Sequence, residues 1–97
     1  MVKMLNGHNV DNGLVIVQIK NDITEYPVGT KFIVLDHDIN IMDMYYSSVE
    51  VCPVDKQDET FYITNGGTDY ELFDGGFKID PTVKYSVSKV YKIDKIK

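Results

Sequence analysis

Alternation of apolar and polar positions recurs along this chain at the period of a β-strand. Leu14 to Ile19 reads Leu-Val-Ile-Val-Gln-Ile, with Val15, Val17 and Ile19 on one face and Gln18 and Lys20 marking the other. Successive strand side chains point to opposite faces, so this segment predicts one covered and one wetter side. Asn21–Asp22 then turns the chain, and Pro27–Val28–Gly29 bends it again. Lys31–Leu35 is apolar at nearly every position, which predicts a strand covered on both faces or a partly shielded barrel strand. Val49–Val54 and Thr60–Thr64 predict two more strands, separated by the polar run Asp55–Lys56–Gln57–Asp58–Glu59. Asn65–Gly66 tolerates the positive φ of a type I′ turn and predicts a hairpin returning into Tyr70–Phe73. A second turn at Asp74–Gly75–Gly76 leads into Phe77–Ile79. Val83, Tyr85 and Val87 alternate with Lys84, Ser86 and Ser88; Val90, Tyr91, Ile93 and Ile96 then fall on mixed parity, which predicts a bulge or strand end.

The only helical spacing is weak. Asp38 can cap a short turn within 38–47 that sets Ile41, Met44 and Tyr45 on one side; a loop covering the barrel with Met and Tyr is the alternative. The expected fold is all-β: a small, strongly bent antiparallel sheet or barrel with at most one short helix. Phe32, Val34, Val51, Phe61, Ile63, Leu72 and Phe77 are expected in one core. The 97 residues fit a single domain, 1–97, with 1–13 expected to fray and 83–97 expected as a C-terminal basic strand.

The stretches Gly29–Leu35, Glu50–Pro53, Glu59–Thr64 and Gly76–Ile79 are spaced in a way that resembles small SH3-like barrels. The resemblance implies that residues 36–48 form the long loop after an early strand. It also implies a ligand groove of acidic loop residues and aromatics, for which Tyr45, Tyr46, Tyr62 and Tyr70 are the available rings. The Ala-Leu-Tyr-Asp-Tyr signature of that family is absent, and an OB-like barrel or a two-sheet sandwich fits the same strand pattern.

Charge changes the picture most. The chain holds ten Lys and no Arg against fifteen Asp and Glu. Residues 1–77 carry four Lys against thirteen carboxylates, formally −9, whereas 78–97 carry six Lys against two Asp, formally +4. An acidic bulk favours a basic protein partner, and the missing Arg removes the usual bidentate reader of phosphate and guanine. The same residue usage, rich in Lys, Asn, Ile, Asp and Tyr, is that of AT-rich genomes.

Candidate chemistry is sparse. Cys52 has no second cysteine to pair with and reads as a packed strand residue. Asp36–His37–Asp38 is the nearest approach to a metal or acid–base cluster, but strand alternation sends His37 away from both carboxylates. Gly66–Gly67 and Gly75–Gly76 lack the helix and Lys-Ser/Thr that a phosphate loop needs. We therefore expect no catalytic residue, no cofactor and no metal. The start of the chain lacks the apolar stretch of a signal peptide and no run reaches the ~20 residues of a membrane span, so a cytoplasmic, non-membrane protein is expected.

The leading functional expectation is a non-enzymatic interaction module that docks on a basic protein, such as a nucleic-acid-handling enzyme. Its size and composition look like those of inhibitors encoded by phages or mobile elements of low-GC bacteria, acting in the host cytoplasm. The contact residues would be Asp55, Asp58 and Glu59 in one loop, Asp69, Glu71 and Asp74 in another, with Tyr45 and Tyr46 as aromatic anchors. One alternative is a nucleic-acid-binding barrel using Lys84, Lys89, Lys92, Lys95 and Lys97 with Tyr85 and Tyr91. Another is a structural subunit whose edge strands pair between copies as a homo-oligomer.

Overall fold

The computed structural model describes residues 12–21, 23–39, 47–64, 76–88 and 90–96. All elements in them are strands: β1 (Leu14–Gln18), β2 (Lys31–Ile39), β3 (Ser47–Pro53), β4 (Phe61–Thr64), β5 (Phe77–Val87) and β6 (Ile93–Lys95). They form one sheet in the order β4-β3-β2-β1-β5-β6, with every neighbouring pair antiparallel. The all-β, bent antiparallel expectation holds, and the form agrees with the SH3-like resemblance at the level of a small curled sheet. Asp38, the suggested helix cap, belongs to β2 instead; residues 40–46, the 65–66 turn and the 70–73 strand lie outside the described residues.

β2 is apolar on both faces because both are covered. Phe32 and Val34 join Ile16, Ile23, Val49, Val51, Ile63 and Phe77 in the main cluster, with Phe61 and Tyr26 packed at its margin. Ile33 and Leu35 point the other way, where they meet Cys52 and the side chains of Tyr85, Val87, Tyr91 and Ile93. Of the expected core, Phe32, Val34, Val51, Ile63 and Phe77 are fully buried, Phe61 is half-buried, and Leu72 lies outside the described residues. Rings lock the main cluster: Phe32 stands edge-on to Tyr26, Phe61 and Phe77.

The second cluster exists because β5 bends. Its first half pairs with β1 from Gln18↔Phe77 to Val15↔Asp80, and pairing resumes only at Leu14↔Lys84. Residues 81–83 fill the break. Pro81 has no amide hydrogen to lose there, and the Asp80 carboxylate accepts from the Thr82 amide (3.0 Å) and the Thr82 hydroxyl (2.6 Å). Those two bonds, with the Lys31 ammonium 3.1 Å away, hold the Asp80 carboxyl down at about 2. Gly13 then ties the bent half to β2: its amide donates to the Val34 carbonyl (2.6 Å) and its carbonyl accepts from the Tyr85 amide (2.7 Å). At φ +87°, a Cβ on Gly13 would stand 1.7 Å from the Tyr85 carbonyl oxygen, so only glycine fits.

Within the expected C-terminal strand, the described residues form two antiparallel strands, with Tyr85–Val87 of β5 pairing with β6. Between them the Lys92 amide donates to Ser88 Oγ and the Tyr91 amide to the Ser88 carbonyl. Tyr91 takes the left-handed conformation (φ 57°), which explains the phase slip in the sequence.

Candidate protein-interaction site

Gln18 builds this site. Its position in the sequence marked a wetter face, yet the side chain is fully buried while Ile19 is 40% exposed. The amide is consumed by the following loop: Nε2 donates to the carbonyls of Ile23, Tyr26 and Pro27, and Oε1 accepts from the Ile23 amide (2.8 Å). The loop is closed behind it by a turn at 27–30, where Gly29 supplies φ +95° and Thr30 bonds back to the Pro27 carbonyl. Ile23 is thereby driven into the main cluster and Tyr26 is laid beside Phe61. The two rings are nearly parallel (9°), with centroids 5.9 Å apart.

The acidic run between β3 and β4 arrives at the same place. Val54 is pinned to β2 through the Lys31 carbonyl, and successive turns bond Lys56 to Pro53 and Glu59 to Lys56. Asp55, Asp58 and Glu59 are all exposed on this turn. The Tyr26 hydroxyl donates to Glu59 Oε1 at 3.3 Å. Burial pushes the Tyr26 phenol above its ordinary value, and the Glu59 carboxylate adds to that by its charge and its hydrogen bond, with Glu25 contributing charge. Ile23, Glu25, Tyr26, Phe61 and Tyr62 line an open cleft of about 320 Å³, with Tyr62 57% exposed at its edge. The result is an aromatic wall with a carboxylate rim.

Of the three carboxylates expected in this loop, Glu59 meets an aromatic side chain, Tyr26, which stacks on Phe61; Asp55 and Asp58 are exposed on the same turn. Tyr45, Tyr46, Asp69, Glu71 and Asp74 lie outside the described residues. Glu25 and Tyr26 were missed by sequence reasoning. The signal that could have found them is Glu25–Tyr26–Pro27, an acid and an aromatic directly before a turn-forming proline.

A second cleft, of about 370 Å³, opens where the C-terminal hairpin crosses β2, lined by Asn12, Leu35, Asp36, Val87, Ser88 and Tyr91. β2 carries an extra residue here, Leu35, between the Val34↔Val51 and Asp36↔Glu50 pairs. Glu50 is 8% exposed and accepts a hydrogen bond from the Tyr91 hydroxyl. That bond, then burial and the nearby charge, push the Tyr91 phenol up to about 12. Tyr91 therefore fastens the hairpin to β3. Behind it, burial and the Glu50 charge push the Cys52 thiol up to about 11, which keeps it protonated and poorly nucleophilic.

Tyr85 and Tyr91, the proposed stacking rings of a nucleic-acid site, are half-buried against the second cluster, while Lys84, Lys92 and Lys95 are exposed around them. Asp36, His37 and Asp38 lie within β2, and among the described residues no three His, Cys, Asp or Glu side chains gather as a metal-binding group. No helix among the described residues is long and apolar enough to cross a membrane. No family model, curated protein or solved structure matches the chain.

Proposed function

We propose that this chain is a non-enzymatic protein-interaction module that docks through its 55–59 turn and the adjoining aromatic cleft on a basic protein. The observation that carries the reading is the Tyr26–Glu59 contact, which joins an exposed run of carboxylates to the half-buried Tyr26–Phe61 pair. Interfaces of this kind use charge to steer the encounter and buried aromatic side chains to hold the complex. Small curled β-sheets commonly serve as interaction modules. The partner that fits best is a nucleic-acid-handling enzyme, whose basic face an acidic module of this size can cover. Inhibition of that enzyme, as by a phage or mobile-element product, is the role this implies.

The nucleic-acid alternative is less well supported, because Tyr85 and Tyr91 spend their rings on packing rather than on an open platform. Affinity capture from the source cell, followed by binding kinetics with the purified partner, tests the proposal. Joint reversal of Asp55, Asp58 and Glu59 to Lys should slow association by ~10-fold or more at low salt and flatten its salt dependence. Association rates unchanged by the triple reversal across a salt series would remove the electrostatic basis of this function.

A further inference from the structure

We propose that the bent half of β5, with β6, is a strap that opens as a unit from the second face of β2 and β3. The Tyr91–Glu50 bond latches it, and the main sheet stays folded when it opens. The division follows the two clusters. Among the described residues, every member of the main cluster lies between Leu14 and Ile79, so none belongs to the strap. The strap lays only Tyr85, Val87, Tyr91 and Ile93, all half-buried, over Ile33, Leu35 and Cys52. Its backbone ties to the sheet are equally local. Pairing with β1 stops at Val15↔Asp80 and resumes at Leu14↔Lys84, beside the Gly13–Tyr85 bond. Residues 81–83, where the ladder is broken, form the hinge. A segment with little buried apolar surface of its own opens at lower free energy than the core behind it.

The latch is a balance of opposing terms. Closing the strap leaves Glu50 only 8% exposed, and withdrawing a carboxylate from water is unfavourable. Asp36 stands across the β2–β3 ladder from Glu50 and adds a like charge. The Tyr91 hydroxyl offsets both by donating to Glu50, a hydrogen bond strengthened by the charge of its acceptor. Opening returns the carboxylate to water and forfeits that one strong bond together with modest apolar burial. The two halves of the latch therefore act in opposite directions. Losing the donor strands a buried carboxylate and opens the strap. Neutralising the acceptor keeps a bond while removing the charge, and closes it. Opening uncovers Ile33, Leu35 and Cys52, an apolar surface that the closed molecule hides.

Cys52, the chain's only cysteine, reports the opening because it is fully buried beneath the strap. Labelling it in the full-length protein with a thiol-reactive aromatic disulfide, over a urea series, separates strap opening from global unfolding. The rate should exceed the value set by global stability and barely change with urea below the unfolding transition. Tyr91→Phe should raise it ~10-fold or more, and Glu50→Gln should lower it ~3-fold or more. Amide exchange over 84–87 and 93–95 should follow the same order, independently of any change in thiol ionisation. Ile63→Val, in the main cluster, should reduce global stability but leave the labelling rate unchanged. A rate that rises with Ile63→Val in step with the lost stability would mean that Cys52 is reached only by unfolding the whole sheet. That result would overturn the strap. Equal rates in wild type, Tyr91→Phe and Glu50→Gln, or a rise in both variants, would overturn the latch.

Discussion

At the scale of single residues, Gln18 carries more of this structure than its polarity suggests. One buried amide meets four backbone groups of the loop after β1, three carbonyls and the Ile23 amide. Replacing it with Leu keeps the volume roughly constant but leaves the Ile23 N–H buried without its acceptor. We expect Gln18→Leu to lower stability by ~1–3 kcal/mol, the usual cost of one such orphaned group, and to loosen the loop that positions Tyr26. Urea denaturation checks the first effect and amide exchange over 23–30 the second; wild-type values in both would show that the amide is dispensable. This residue also marks a limit of legibility. The alternation in Leu14–Ile19 located the strand, but assigning its faces by polarity put Gln18 in water and Ile19 in the core, opposite to what is found. The partners that make burial of an amide tolerable come from a loop whose path the alternation does not encode.

At the scale of elements, the bend in β5 decides whether the second face of β2 is covered. Lys31–Leu35 announced both covered faces through its unbroken apolar run. What covers the second face was hidden, because Phe77–Ile79 and Val83–Val87 read as two strands when they are one strand bent at 81–83. The chemistry for the bend was present in Asp80–Pro81–Thr82. Gly13 is the joint between the bent half and β2, and Gly13→Ala should cost ~1–3 kcal/mol from the positive φ alone, with the clash at the Tyr85 carbonyl adding to it. Chemical denaturation showing a loss below ~0.5 kcal/mol would mean the joint can open without consequence. The bend should also respond to acid. Asp80 has a folded value of about 2, below its ordinary 3.8, so its stabilisation is fully present above about pH 4 and is lost as pH falls through about 2. Asp80→Asn should flatten that part of the stability-versus-pH curve; an identical acid limb in wild type and variant would show that Asp80 does not hold the bend.

At the scale of the whole molecule, two surfaces of opposite sign compete to define what the protein binds. The 55–59 turn and its aromatic cleft lie on the side of the main cluster, and the lysines of the C-terminal hairpin surround the second. The charge asymmetry between 1–77 and 78–97 was legible in composition, whereas its pairing with Tyr26 and Phe61 required the fold. The formal net charge is −5, so a nucleic acid approaching Lys84, Lys92 and Lys95 also meets the repulsion of the acidic remainder. Few phosphate contacts are within reach of so short a strip, and the two tyrosines that could add stacking are committed to Leu35, Cys52 and Glu50. Binding to single- or double-stranded nucleic acid should therefore be no tighter than the ~10⁻⁴–10⁻⁶ M typical of non-specific contacts at physiological salt. Fluorescence anisotropy over a salt series measures this directly. A submicromolar affinity that falls steeply with salt and disappears on joint replacement of Lys84, Lys92 and Lys95 by Gln would make the hairpin the functional surface. The same measurement on the Asp55, Asp58 and Glu59 reversal separates the two surfaces: removing that negative charge should strengthen a weak background interaction, but it should not create a sequence preference.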